Sequence, residues 1–296
     1  MDNKCIIVIP IYKNNPDEIE KASFNQVLTI LKKHNICIFT HKDCDLSVYK
    51  QISNRVGKQY SVEFFDFKYF KSIDGYNELC CSKDFYHRFE MYEYMLIYQL
   101  DAWIFRDELL HWCNKNYDYI GAPIYYTYNK FKHTNKFMGV GNGGFCLRKI
   151  SYCLKVLSLN SRMPFINLTN LIKLYWNLLL YNENFKSFTN RIRIIPIILL
   201  KSVGIKNNLN YYITNHINED IIFSIWSSKS WGIKANIPSK EEAIKFSFEV
   251  HPQLLFKENN YKLPFGCHAF KKWEFNEFWC NYIKINVIRE NRIITD

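Results

Sequence analysis

The chain has 296 residues, 48% of them hydrophobic and 17% aromatic, which is enough apolar mass for a sizeable core and excludes global disorder. Its formal net charge of +11 favours polyanionic partners such as diphosphates or acidic lipid headgroups, yet no basic run reaches five residues, which argues against nucleic acid as a partner. Ten cysteines without a C-x-x-C pair exclude a zinc ribbon or a thioredoxin-like centre; set in apolar runs, they read as reduced thiols of a cytosolic protein.

The first apolar run, Cys5–Tyr12, is too short for a signal peptide or a membrane span and reads as a buried parallel strand. Helical spacing follows over Pro16–Lys33, then a strand at Ile36–Thr40 and a short helix at Leu46–Val56 with Asp45 as its N-cap. A strand at Ser61–Phe67, a helix over Tyr76–Phe89 and a strand over Tyr92–Leu100 complete the first third. Strands alternating with helices predict a Rossmann-like parallel half, whose ligands bind beyond the carboxyl ends of the strands. After Asp101 the order changes. A short helix at Asp107–Asn114 and the segment Tyr117–Pro123 lead to glycine-rich Val140–Arg148. Apolar helical stretches follow at Leu168–Leu180 and Ile192–Val203, then a helix over Asn218–Trp226, and finally Phe246–Phe248 and Leu263–Phe270. With no repeat and no long linker, one domain over 1–296 is expected, carrying a helical insertion near 160–212.

Four patches carry candidate chemistry. Asp101 ends a buried strand in Tyr98-Gln99-Leu100-Asp101, where its charge needs a partner: a divalent metal on a diphosphate, or a helix near Glu108 that it caps. The cluster Gly139-Val140-Gly141-Asn142-Gly143-Gly144 lets backbone approach a ligand, or forms a tight hairpin; no clear strand precedes it and a strand-like FCLR follows. Glu219 and Asp220 either favour a helix start, through its dipole and by capping, or supply a general base. His268, in Pro264-Phe265-Gly266-Cys267-His268, is a structural histidine or a ligand.

In order and content these patches resemble GT-A glycosyltransferases, and within them a bacterial group known only as a domain of unknown function, through Tyr98–Phe105, Tyr117–Pro123, Gly141–Arg148, Glu219-Asp220, Phe246–Glu249 and Pro264–His268. The resemblance spans about residues 5 to 272, with a gap in the insertion. It implies an α/β, GT-A-like fold: a Rossmann-like nucleotide-binding half with a mixed sheet, an acceptor half and the helical insertion. It implies an inverting, metal-dependent hexosyltransferase that moves a sugar from a nucleotide-sugar, a UDP-sugar above all, to a carbohydrate or lipid-linked glycan. Asp101 and His268 would hold Mn²⁺ or Mg²⁺, with Gln99 standing where such enzymes carry a first Asp. Gly143 and Gly144 would lie against the donor sugar, and Pro10, Tyr12, Thr40 and His41 would face the nucleotide. Asp220 would be the base and Glu219 would orient the acceptor. The competing classes are a sugar-nucleotide pyrophosphorylase, which lacks here its glycine-rich loop after the first strand, and a non-catalytic carbohydrate-binding protein.

The stretch Arg191–Lys201 is apolar between bases, and Leu171–Leu180 carries Tyr175 and Trp176. Both are too short to span a bilayer; they read as core helices or as interfacial segments on an anionic membrane, making the protein cytoplasmic and peripheral on the inner face.

Overall fold

The computed structural model describes residues 4–129, 132–158, 168–181, 196–231 and 233–285. The elements of the first half are β1 (Cys5–Pro10), α1 (Glu18–Ile30), β2 (Asn35–Thr40), α2 (Ser47–Val56), β3 (Ser61–Phe64), α3 (Ile73–Cys80), α4 (Lys83–His87), β4 (Tyr94–Tyr98), β5 (Trp103–Ile104) and α5 (Leu109–Asn114). Then come β6 (Tyr119–Ile120), β7 (Ala122–Asn129), β8 (Lys132–Gly141), β9 (Phe145–Lys149), α6 (Ile150–Ser158), α7 (Leu168–Tyr181), α8 at 196–202, α9 (Leu209–Thr214) and α10 (Glu219–Ile221), which runs into a π-helix at Ile222–Ser230. The last elements are α11 (Lys240–Phe246), β10 (Ser247–Phe248), α12 (Pro252–Glu258) and β11 (Gly266–Cys267).

The main sheet has the order β3-β2-β1-β4-β9-β6. Its first four strands are parallel, while β9 runs antiparallel to β4 and β6 antiparallel to β9. This is the expected α/β class: a Rossmann-like parallel half extended into a mixed sheet, as a GT-A-like chain requires. Every residue of β1 and β4 is buried, so both are continuous apolar runs. Side chains alternate across a strand, and Cys5, Ile7 and Ile9 pack with Phe24, Val27 and Leu28 of α1 on one face. Ile6 and Val8 meet Leu79, Phe85 and Val156, from α3, α4 and α6, on the other. A third cluster gathers Trp103, Phe248, Cys267 and Trp279 around the small sheet β10-β11-β5. All ten cysteines are free, nine of them buried and Cys280 exposed.

Several boundaries differ from expectation. Tyr76–Phe89 is two helices, because Ser82 starts a new one by accepting from the Phe85 amide. The N-cap of α2 is Leu46, and Asp45 bonds Ser47 from one residue earlier. A strand, β8, does precede the glycine cluster; its sequence KHTNKFMGVG mixes polar and apolar residues, so it lacks an apolar run. The cluster is therefore no hairpin tip, since β8 pairs with β7 and β9 with β4 and β6. Within the 160–212 insertion, 168–181 and 196–202 are helical, and the expectations for 160–167 and 182–195 lie outside the described residues. Among the described residues no helix is long and apolar enough to cross a membrane.

Candidate active site

A cavity of about 820 Å³ opens where β1 and β4 end. In an open α/β sheet this is where the order reverses: β2 lies on one side of β1 and β4 on the other. Of the residues nominated above, Pro10, Tyr12, Gln99, Asp101, Gly143, Gly144, Glu219, Asp220 and His268 line it. Thr40 and His41 do not. Thr40 donates to the carbonyl of Ile11 at 2.7 Å and so fixes the chain leaving β1. His41 lines an adjacent cleft, its ring centroid 4.6 Å from that of Phe67.

One end of the cavity is built on the turn after β4. The Gln99 amide donates to Gly144 O at 2.7 Å, and the Ala102 amide to Gln99 O at 2.9 Å. From α1, Ser23 Oγ donates to the Ala102 carbonyl at 2.7 Å and holds this turn against the core. Antiparallel pairing of β11 with β5, Cys267 opposite Trp103, then brings His268 beside Asp101. His268 Nε2 stands 3.1 Å from Asp101 Oδ1 and 3.3 Å from Gln99 Oε1, while Nδ1 stands 3.2 Å from Glu249 Oε1. Burial alone would lower the imidazole pKa, but the carboxylates of Asp101 and Glu249 outweigh it and push the pKa up to about 10. Desolvation would raise the Asp101 carboxyl, but the His268 charge and hydrogen bond hold it below its ordinary value. Among the described residues no three His, Cys, Asp or Glu side chains form a ready metal cage. Yet the Asp101 carboxylate, the His268 imidazole and the Gln99 amide oxygen meet at one point of the wall. That donor set suits Mn²⁺ or Mg²⁺ once the imidazole gives up its Nε2 proton and phosphate oxygens complete it.

The other end is built on the three-residue turn 142–144. Asn142 has φ 85°, a conformation that Asn tolerates better than most residues. This turns its amide to Asp220 Oδ2, 2.7 Å away. Its Oδ1 accepts from the amides of Gly144 and Phe145, and its buried Nδ2 has no partner among the described residues. Asp220 takes a second amide, from Ile221, at 2.8 Å. Burial, reinforced by the charge of Glu219, raises the Asp220 pKa to about 7 against the pull of these amides. Glu219 itself accepts from Arg148 Nη2 at 2.6 Å, both side chains being buried, and Arg148 Nη1 donates to Tyr86 Oη at 3.0 Å. Two glycines leave room for this arrangement. A methyl group on Gly143 would stand 2.6 Å from Glu219 Oε1, and one on Gly144 would overlap His268 Nε2.

Both carboxylates lie in the first turn of α10, where the helix dipole favours them, but neither caps it: Asn218 is the N-cap and makes no side-chain cap bond. Nor does Asp101 cap α5, whose N-cap is Glu108 and whose Leu109 amide reaches Asp107 instead. Asn142, Arg148 and Glu249 join the site without having been singled out. Asn142 and Arg148 lie inside Gly141–Arg148 and Glu249 closes Phe246–Glu249, segments whose letters do not encode these contacts.

The sequence matches, over residues 59–268, the family described as protein of unknown function (DUF5672). No curated protein matches the chain. Solved structures to which it is similar include xyloside xylosyltransferase 1 of mouse, apo form, at 10% identity and TM-score 0.46, covering 90% of this chain and 96% of that one. Core-mannan synthase A of Aspergillus fumigatus, in a Mn/GDP form, is matched at 10% identity and TM-score 0.35, over 50% of this chain. The match spans 60% of the length of that synthase. A cytidylyltransferase of Leptospira borgpetersenii is matched at 12% identity and TM-score 0.32, covering 53% of this chain and 64% of that one.

Proposed function

The chain belongs to the DUF5672 family of proteins of unknown function, and from that premise we propose that it is a glycosyltransferase, moving a sugar from a nucleotide-sugar, in our reading a UDP-sugar, to a carbohydrate or lipid-linked glycan. The observation that carries this is one cavity with two chemically distinct ends, an acid–imidazole pair and a buried carboxylate, joined by the turn 142–144. At the first end Asp101, His268 and Gln99 would hold Mn²⁺ or Mg²⁺, and Lys271 and Lys272 line the same cavity. The ion, when bound, neutralises charge developing on a departing diphosphate. Pro10 and Tyr12 face the nucleotide, with Thr40 and His41 backing that wall.

At the second end Asp220 takes the proton of the acceptor hydroxyl as its oxygen attacks the anomeric carbon. The O–H bond breaks, the new C–O bond forms, and the bond to the diphosphate oxygen breaks on the opposite face, so the configuration inverts. A base with a pKa near 7 is matched to this work at neutral pH. Glu219, steadied by Arg148, orients the acceptor, and Asn142 Nδ2 is a donor left for substrate. We take the chain as one catalytic domain carrying the 160–212 insertion and acting on the cytoplasmic side of a membrane.

Purified protein given a panel of nucleotide-sugars should release nucleoside diphosphate with Mn²⁺ present and stop when EDTA removes it. Full activity in EDTA overturns the metal role. Pyrophosphate release from a nucleoside triphosphate and a sugar phosphate marks a pyrophosphorylase instead, and binding without turnover marks a carbohydrate-binding protein. Either of those results overturns the reading as a whole.

A further inference from the structure

The helices α7 and α8 are apolar on two sides. Their inner faces meet in a small cluster in which Leu171, Tyr175, Leu179 and Ile198 pack with Trp226 of the π-helix. Their outer faces leave Ile172, Trp176 and Leu180 of α7 and Leu199 and Leu200 of α8 exposed, Trp176 and Leu199 each to 63%. A surface helix ordinarily presents polar residues on the side away from the core, and one that is apolar all round is covered by something.

Charge says what covers it. The segment 149–218 holds nine lysines and arginines and a single acid, Glu183, and so carries +8 of the chain's net +11. Beside the patch, Lys173 of α7 and Lys206 after α8 are exposed, and a second copy of the same face would set these ammonium groups against their own counterparts. The patch lies on two neighbouring helices and lines neither the site cavity nor the cleft at His41. Exposed Trp and Leu with Lys173 and Lys206 alongside match the headgroup boundary of an anionic bilayer, where indole and aliphatic groups enter and ammonium groups stay with phosphate. At about 1.5 Å per residue, α7 spans roughly 21 Å, less than the bilayer core, so it lies in the interface plane.

We propose that the outer face of α7 and α8 docks this protein on an anionic lipid bilayer. The docking does not depend on the sugar-transfer reading, and its test needs no turnover. The full chain is spun with vesicles of phosphatidylcholine, with and without phosphatidylserine, at low and high salt. Pelleting is expected with the anionic vesicles, falling as salt screens the bases. The variant Trp176→Gln/Leu199→Gln, whose changes lie on exposed positions, should bind about tenfold or more weakly with an unchanged melting temperature. Should that variant fail to fold, brominated lipid serves on the unaltered protein: quenching of tryptophan fluorescence on anionic vesicles is expected. Wild-type protein that stays in the supernatant with anionic vesicles at low salt overturns the proposal. So does a folded variant that pellets like wild type, or a dimer in light scattering that the variant breaks while vesicles bind neither.

Discussion

Asp220 stands between two uses of one carboxyl. Buried beside Glu219, it is raised to about pH 7, where it can exchange a proton with a hydroxyl. Asp220→Asn should lower kcat about 10²–10⁴-fold with donor affinity nearly kept, measured by steady-state kinetics against donor binding. In the unaltered protein kcat/KM should rise through about pH 7, as the base loses its proton. Stability should move the opposite way. The folded state keeps a proton that the unfolded chain releases near 3.8, so this contribution is full below about pH 4 and lost as pH rises towards 7. At about 1.36 kcal/mol per unit it amounts to at most about 4 kcal/mol. Melting temperature should therefore fall more between pH 5 and pH 8 in wild type than in Asp220→Asn. Glu219→Gln removes a charge that helps to raise Asp220, so the acid limb of the rate profile should move to lower pH. Arg148→Met strands the Glu219 carboxylate in the core and should cost about 3–5 kcal/mol by denaturant unfolding. The acids and His268 were legible because a charge in an apolar run demands a partner. Asn142 was not, because its part is played by a backbone amide and a left-handed φ, which its letter does not encode.

At the scale of elements, the turn 142–144 is the join between the two ends. Gln99 bonds one side of it and Asp220 the other, so its shape couples the acid–imidazole pair to the buried carboxylate. Gly144→Ala should turn His268 out of place and weaken Mn²⁺-dependent donor binding about tenfold or more, read by calorimetry, with the far-ultraviolet dichroism of the fold retained. The central strands of the parallel half were legible from apolar runs, since β1 and β4 are buried on both faces. The β7–β8 hairpin was not, because Ala122–Asn129 and Lys132–Gly141 carry neither strict alternation nor an apolar run. The helix over Asn218–Trp226 was legible in position but not in kind. It continues as a π-helix to Ser230, in which Ser227 bonds back to the Phe223 carbonyl and Tyr152 meets Ser227. Such widened turns gather at functional sites, and this one joins Asp220 to Trp226 under α7.

Taken whole, the molecule hangs a two-ended cavity on one mixed sheet, with α7 and α8 of the insertion packed to the π-helix that continues from α10 and Asp220. A nucleoside diphosphate with Mn²⁺ should raise the melting temperature, by the equivalent of about 2.7 kcal/mol at a hundred times its dissociation constant, and the gain should shrink in EDTA. The buried thiols open another view of the molecule. Cys5, Cys44 and Cys113 sit in the core on the α1 side of the sheet, Cys37, Cys80, Cys81, Cys146 and Cys153 in the core on the other side, and Cys267 in the cluster around the small sheet. A maleimide should reach Cys280 at once and the others only when their own core opens. The cysteines thus form a built-in clock with three dials, and mass spectrometry of the order in which they are tagged would time the breathing of each core separately.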